Sequence, residues 1–270
     1  MKMEQINSAT RPFRARAYRR RRRVKSNIID LIERSFAMLK KDLMMRNPLR
    51  LLGGENNEIL SSGGFGAVLA RAGVGKTALM VQLSLETLLR GKNVLHVSLD
   101  DPVNKVSIWY DEVFHHLAEQ YNLQQIKDLW ESMLPHRFIM TFKVEGFSAP
   151  KLEERLTDLT EQKIFYPDMM IIDGLPFSKP LDETLHQLKN FSAKNGLRLW
   201  FSVKTHRHEE PDVKGIPPQL MGREDLFDII IQLQPQGGAI NVQAIKGGAP
   251  AAKSTRLKLD PSTMLIQTKL

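Results

Sequence analysis

Cysteine is absent from all 270 residues, which excludes disulfides, thiolate metal sites and cysteine nucleophiles and fits a reducing compartment. No window approaches the roughly twenty apolar residues that span a bilayer, and no apolar run follows the N-terminal arginines as a secretory signal requires. A cytoplasmic protein without a membrane span is the expectation. Internal repeats are missing as well. Cationic excess is missing from most of the chain, despite a net charge of +9. Residues 1–26 hold ten of the 39 Lys and Arg and one of the 30 acids, Glu4, so the remainder balances at 29 basic and 29 acidic residues. A chain of this length accommodates one large α/β domain with an extension, or two small domains.

The excess charge is concentrated at Arg11, Arg14 and Arg16, then Arg19, Arg20, Arg21, Arg22 and Arg23 without a break, then Lys25. Mutual repulsion and few apolar residues predict a segment without structure of its own. It reads as an arm that neutralises phosphates of nucleic acid or another polyanion, with Phe13 and Tyr18 available to stack. A solvated tail, or an arm docked on an acidic protein face, would carry the same charges. From Asn27 to about Arg46 the pattern becomes an amphipathic helix with Ile28, Leu31, Ile32, Ser35, Phe36, Leu39 and Leu43 on one stripe. Ser26 or Asn27 can cap it and Pro48 follows its end. Such a helix either packs on its own domain or bridges to a neighbouring subunit. The expected organisation is an arm at 1–26, a helix and linker at 27–49, and one α/β domain at 50–270.

The most informative stretch is Ala70-Arg71-Ala72-Gly73-Val74-Gly75-Lys76-Thr77. A small residue, four spacers and Gly-Lys-Thr form a phosphate-binding loop, with Ala70 where glycine is commoner. Glycine lets successive backbone amides of Ala72 to Ala78 approach a phosphate unobstructed. Lys76 would reach the β- and γ-phosphates, and the Thr77 hydroxyl would ligate a magnesium ion that bridges them. The context fits. Gly66 to Ala70 is a short apolar run suited to a buried strand, and Ala78 to Arg90 repeats Leu79, Met80, Leu83 and Leu89 at helical spacing before Gly91. Strand, loop and helix follow in the required order, with the positive end of the helix dipole at the phosphate.

Asn93 to Ser98 reads as the next strand, followed by Leu99-Asp100-Asp101-Pro102. Pro102 suits the first position of a helix with Asp101 as its N-cap, which leaves Asp100 without a structural task. A carboxylate at that strand end could orient or deprotonate the water that attacks a γ-phosphate. Helices are expected over Val103–Tyr121 and Leu123–Met133, a strand over Arg137–Phe142, and a helix over Ala149–Lys163 capped by Ser148. His115 and His116, adjacent on a helix, point in different directions and do not suggest a metal site. Met169-Met170-Ile171-Ile172-Asp173 is a buried central strand ending in an acid, as the Walker B motif requires for delivering a carboxylate to magnesium. An Asx turn before Gly174 would look the same in isolation. After a helix at Leu181–Asn195 comes the strand Leu197–Val203. Lys204-Thr205-His206 at its end could contact a γ-phosphate or the attacking water. A polar, proline-containing loop follows at Arg207–Gly222, then strands at Asp228–Leu233, Ala239–Ile245 and Thr255–Leu259, the first pair turned at Gly237-Gly238.

From about Asn57 to Leu270 this order resembles the RecA-like P-loop ATPases, and within them the KaiC-like and DnaB-type helicase branch. The resemblance rests on the phosphate loop, on Ser98-Leu99-Asp100-Asp101-Pro102, on Asp173, on Lys204-Thr205-His206 and on Ala244-Ile245-Lys246-Gly247-Gly248. It implies an α/β fold in which a mostly parallel sheet is flanked by helices and ends in antiparallel strands, with ATP and Mg2+ as ligands. It also implies that Asp100 stands where the family has a catalytic glutamate, one methylene longer. By the same resemblance, Lys246 looks like a basic finger inserted into the neighbouring subunit's site, which requires a ring or filament. The loop at 207–222 sets Arg207 and Lys214 against Glu209, Glu210 and Asp212, a poor charge balance for DNA.

Three functions follow as expectations. The first is a homo-oligomeric ATP-hydrolysing motor or switch whose arm binds nucleic acid or another polyanion, with Asp100, Lys76, Lys246 and His206 as its catalytic residues. The second is a slowly hydrolysing switch or scaffold that recruits a protein partner. The third, a nucleotide or small-molecule kinase, shares the phosphate loop but lacks an adjacent acceptor-binding signature.

Overall fold

A computed structural model describes residues 37–53, 59–121, 126–249 and 257–268, with only the backbone at Ile126. The chain divides into two compact units, 1–43 and 44–270. Of the first, residues 37–43 are described and are helical, within helix α1, which is described over 37–46. Arg19 to Arg23 and the N-terminal part of the amphipathic helix lie outside the described residues.

In the second unit, strands and helices alternate as the apolar runs dictate: β1 (Phe65–Ala70), α2 (Lys76–Leu89), β2 (Val94–Ser98), α3 (Val103–Gln120), α4 (Ile126–Met133), β3 (Arg137–Thr141), α5 (Ala149–Glu161), β4 (Met169–Asp173), α6 (Asp182–Asn195), β5 (Arg198–Lys204), then β6 (Ile229–Gln236), β7 (Ala239–Lys246), β8 (Leu257–Leu259) and β9 (Ile266–Thr268). They form one nine-stranded sheet in the order β3-β2-β4-β5-β1-β6-β7-β8-β9. Every pairing from β3 to β6 is parallel, and β6 to β9 are antiparallel. This is the P-loop α/β fold that the resemblance implies.

Period-two alternation sorts the side chains of the parallel strands between two helical layers. Leu95, Val97, Met170, Ile172, Leu199, Phe201 and Val203 join Leu152 and Leu156 of α5 and Leu185, Leu188 and Phe191 of α6 in one core. Its aromatic centre is Phe65, Phe177, Phe201 and Phe227, with ring centroids 4.9–6.4 Å apart. The intervening residues of β2 face the other way, where His96 meets Tyr110 of α3, and α3 packs on α2. Burial on both faces is why these strands read as unbroken apolar runs.

Three differences from expectation have physical causes. Asp101 does not cap α3: the N-cap is Pro102, extended at φ −71° and ψ 160°, with no side-chain capping bond. Asp101 is instead committed to Lys105 at 2.7 Å, while its amide bonds the Ser98 hydroxyl at 3.0 Å. Strand β6 runs past Leu233 through Pro235. Its pairing with β1 ends at Gln232, so beyond that residue only β7 is a neighbour and a missing amide costs no bond on the β1 side. Strand β9 was not foreseen, because three residues carry too little periodicity to register. It is held by the side chain of Gln82 in α2, whose Oε1 accepts from Ile266 N at 2.9 Å and whose Nε2 donates to Met264 O at 2.7 Å.

Candidate active site

The parallel register brings the C-terminal ends of β1, β2, β4 and β5 together, where open α/β sheets bind ligands. Ala70 pairs with Lys204 and Ser98 with Asp173, so four distant segments converge. Between them lies a cleft of about 590 Å³ lined by Ala72, Gly73, Lys76, Thr77, Asp100 and Asp173, with Lys204 and His206 on the β5 side.

The phosphate loop has the backbone its sequence requires. Gly73 and Gly75 hold φ of +74° and +98°, a region that side chains with a Cβ avoid. In front of Gly73 the space is open, since a Cβ there would meet nothing within 4 Å. Gly75 is the N-cap of α2 and supplies no side-chain acceptor, which leaves the first helical amides for an anion. Val74 and Ala78 are buried and contribute backbone alone. The Lys76 ammonium donates to the carbonyls of Ala70 at 3.1 Å and Arg71 at 3.0 Å, which leaves one of its three protons for a ligand. Burial pushes its pKa down, Asp173 pulls it back up, and Lys204 lowers it again.

Thr77 Oγ1 donates to Asp173 Oδ2 at 3.2 Å. Two oxygens from the phosphate loop and the β4 terminus thus stand together beside Lys76, a hard-oxygen donor set that fits magnesium. Asp173 Oδ1 receives no hydrogen bond from the described residues. Beneath the pair, His96 is fully buried, its Nδ1 3.1 Å from the Tyr110 hydroxyl. Its Nε2 lies 4.0 Å from Asp173 Oδ2 and has no hydrogen-bond partner among the described residues. Burial lowers the His96 pKa to about 4, against the pull of Asp173. The ring is therefore neutral at neutral pH, and this approach is not an ion pair.

Asp100 lies across the cleft. Its pKa is raised, first by burial and then by the neighbouring charges of Asp173 and Asp101, while Lys204 and Lys105 oppose the shift. Its carboxylate rests against Gly174, whose amide donates to Ser202 Oγ at 3.0 Å. A Cβ at Gly174 would stand 2.7 Å from Asp100 Cγ, and φ there is +93°. Gly174→Ala is therefore expected to cost about 1–3 kcal/mol of stability and to displace Asp100. Denaturant unfolding measures the first effect and the ATP turnover rate the second.

Of the residues foreseen, the structure gathers Ala72, Gly73, Lys76, Thr77, Asp100, Asp173 and His206 around one cleft. It does not bring Lys246 there: that ammonium donates to the Glu224 carbonyl at 2.7 Å and lies 3.5 Å from Asp225 Oδ1. Among the residues not foreseen as part of the site are Lys105 and Ser202, which line the cleft, and His96 beneath it. The spacing of Asp101 and Lys105, four apart on a helical start, was a visible signal for the first. Nothing local marked the other two. His115 and His116 bond the carbonyls of Asp111 at 2.7 Å and Thr263 at 2.9 Å. No described helix is long and apolar enough to cross a membrane.

Residues 47–187, from the start of the second unit's first turn into α6, match the family model described as AAA domain. No curated protein matches the chain. The matched segment spans over half of the sequence and includes the phosphate loop, Asp100 and Asp173, so the chain belongs to the AAA-domain family of P-loop ATPases.

Proposed function

We propose that this chain is a homo-oligomeric, RecA-like ATPase of the KaiC-like and DnaB-type branch, which binds MgATP, hydrolyses it and places its arginine arm on nucleic acid or another polyanion. The observation that carries the reading is the contact of Thr77 with Asp173 at 3.2 Å, inside a cleft that also holds Lys76, Asp100, Lys204 and His206. The amides of residues 72–78 bind and orient the phosphate chain, with Lys76 at its distal end. When bound, magnesium held by Thr77 and Asp173 would neutralise charge that develops on the β- and γ-oxygens. Asp100, with its raised pKa and its place opposite the loop, orients the attacking water and takes its proton. Lys204 and His206, at the end of the strand beside β1, hydrogen-bond the γ-phosphate.

In this reading Lys246 serves the neighbouring subunit. Its ammonium is half-buried on a carbonyl of its own chain, a contact that would be exchanged for phosphate oxygens across an interface. Sedimentation of the full chain with MgATP, with and without DNA, tests the assembly. A ring or filament is expected on MgATP addition, together with a DNA response that disappears when residues 1–26 are removed. A chain that stays monomeric with MgATP, or a truncated chain that binds DNA with unchanged affinity and salt dependence, would refute the corresponding half of the proposal.

A second reading is favoured by two features, the short side chain at Asp100 and a loop at 207–222 without cationic excess. It is a switch that binds ATP, turns it over little and recruits a protein partner.

A further inference from the structure

On the α2–α3 face of the sheet, beneath the Thr77–Asp173 pair, lies a buried polar chain that the reaction as derived above does not use. Strand β2 has Val94, Leu95 and Val97 fully buried, yet it carries His96 at the same depth and ends in the buried Ser98. In register, Ser98 is opposite Asp173 and His96 opposite Ile171, which sets the imidazole one pleat below the carboxylate on the same face. Its Nε2 has no hydrogen-bond partner among the described residues and lies 4.0 Å from Asp173 Oδ2. At the other side of the ring, Nδ1 is 3.1 Å from the Tyr110 hydroxyl. Tyr110 is itself fixed by the Arg137 guanidinium, 4.7 Å above its ring.

A neutral imidazole has one donor nitrogen and one acceptor nitrogen, and its surroundings choose between them. A bare lone pair on Nε2 would face the lone pairs of the Asp173 carboxylate at 4.0 Å in a buried site, which is repulsive. A proton on Nε2 instead points the N–H dipole at that carboxylate and leaves Nδ1 to accept from Tyr110. The Ser84 hydroxyl beside Tyr110 donates to the Met80 carbonyl at 3.0 Å, so its oxygen is a second acceptor for the phenol proton, and it is the carboxylate facing Nε2 that selects the tautomer. Both available donors, Thr77 Oγ1 and His96 Nε2, then approach the same oxygen, Oδ2.

We propose that Tyr110 and His96 are positioning residues for Asp173: the tyrosine fixes the imidazole tautomer, and Nε2–H holds Oδ2 so that Oδ1 is presented to the magnesium ion or its water shell. At 4.0 Å the contact is longer than an N–H···O hydrogen bond of about 2.7–3.2 Å, so the bond would form with a shift of the carboxylate toward the ring when magnesium is bound. Carboxylates and imidazoles behind metal ligands tune affinity in this way, and their loss typically costs about 10–100-fold. The inference rests on the reading of Asp173 as the magnesium carboxylate.

The test separates the two. Affinity for a fluorescent ATP analogue is measured with EDTA and with magnesium, and the ratio gives the increment due to the metal. In wild type, magnesium is expected to tighten binding; no increment would overturn the metal reading itself, and this inference with it. In His96→Leu, which fills the volume without a donor, the EDTA affinity is expected to hold while the increment falls roughly 10-fold. His96→Gln, which keeps a nitrogen donor near the position of Nε2, is expected to recover most of it, and Tyr110→Phe to lose part. An unchanged increment in His96→Leu, or an equal loss with and without magnesium, would overturn the positioning role. Should the buried substitutions fail to fold, ring nitrogen chemical shifts of wild-type His96 decide the matter. A protonated Nε2 and bare Nδ1 support the relay, and the opposite tautomer sinks it.

Discussion

Lys76→Ala is expected to lower ATP turnover by roughly 10²–10³-fold, the cost of removing one preorganised donor from developing negative charge, and to weaken ATP binding as well. The ammonium sits where the C-terminal end of β1 turns into α2, and two of its three protons are held by the Ala70 and Arg71 carbonyls. Those bonds aim the side chain across the mouth of the loop, so its position is set before any ligand arrives. Burial pushes its pKa down, and a phosphate beside it would oppose that shift by favouring the charged form. Alanine removes the charge and leaves two carbonyls facing the cleft, where water can satisfy them. Titration of a fluorescent ATP analogue, together with a phosphate-release assay, measures both effects; wild-type turnover in the variant would refute the site. Thermal unfolding of the variant should stay close to wild type, because the φ angles of Gly73 and Gly75 rather than the lysine shape the loop.

The second large effect is expected at Asp100. General-base assistance contributes about 10²–10⁴-fold, so Asp100→Asn should lower turnover within that range and leave nucleotide affinity nearly unchanged. The pH dependence has a definite sign. The carboxyl pKa is raised above its ordinary value of 3.8 by burial, Asp173 and Asp101, and only the ionised form accepts a proton. Turnover should therefore fall as pH drops through a midpoint above 3.8, and Asp100→Asn should lose that limb. Asp100→Glu, which restores the missing methylene, should raise turnover if the shorter side chain sets the rate. Equal rates for wild type and Asp100→Asn, with ATP binding intact, would favour the switch reading over the motor.

Much of this site was legible because its chemistry is local. Five of the eight residues from Ala70 to Thr77 form the turn between β1 and α2, one closes the strand and two open the helix, and the required glycines are a property of the chain itself. Asp173 was visible because a strand buried on both faces reads as an apolar run, and an acid at its end stands out. The Asp101 cap failed for a related reason: a short carboxylate next to Pro102 satisfies the N-cap pattern, but Lys105 one turn later competes for it, and the ion pair prevailed. Lys246 shows a different limit. Its motif placed it at a strand end, while its partner, the Glu224 carbonyl, lies 22 residues away and has no sequence signature.

The sequence by itself determined the phosphate loop, the order of strands and helices, the confinement of the charge excess to residues 1–26, and the acids at 100 and 173, because each depends on neighbours in the chain or on the periodicity of a single element. Tertiary structure alone decided that β5 would lie between β1 and β4, and so which strand ends would share a cleft. It alone set Asp100 against Gly174, joined Thr77 to Asp173 across 96 residues, and placed His96 beneath that carboxylate. Strand order follows from how helices cover both faces of the sheet, and side-chain contacts between strands follow from register. Neither quantity is written in any one segment.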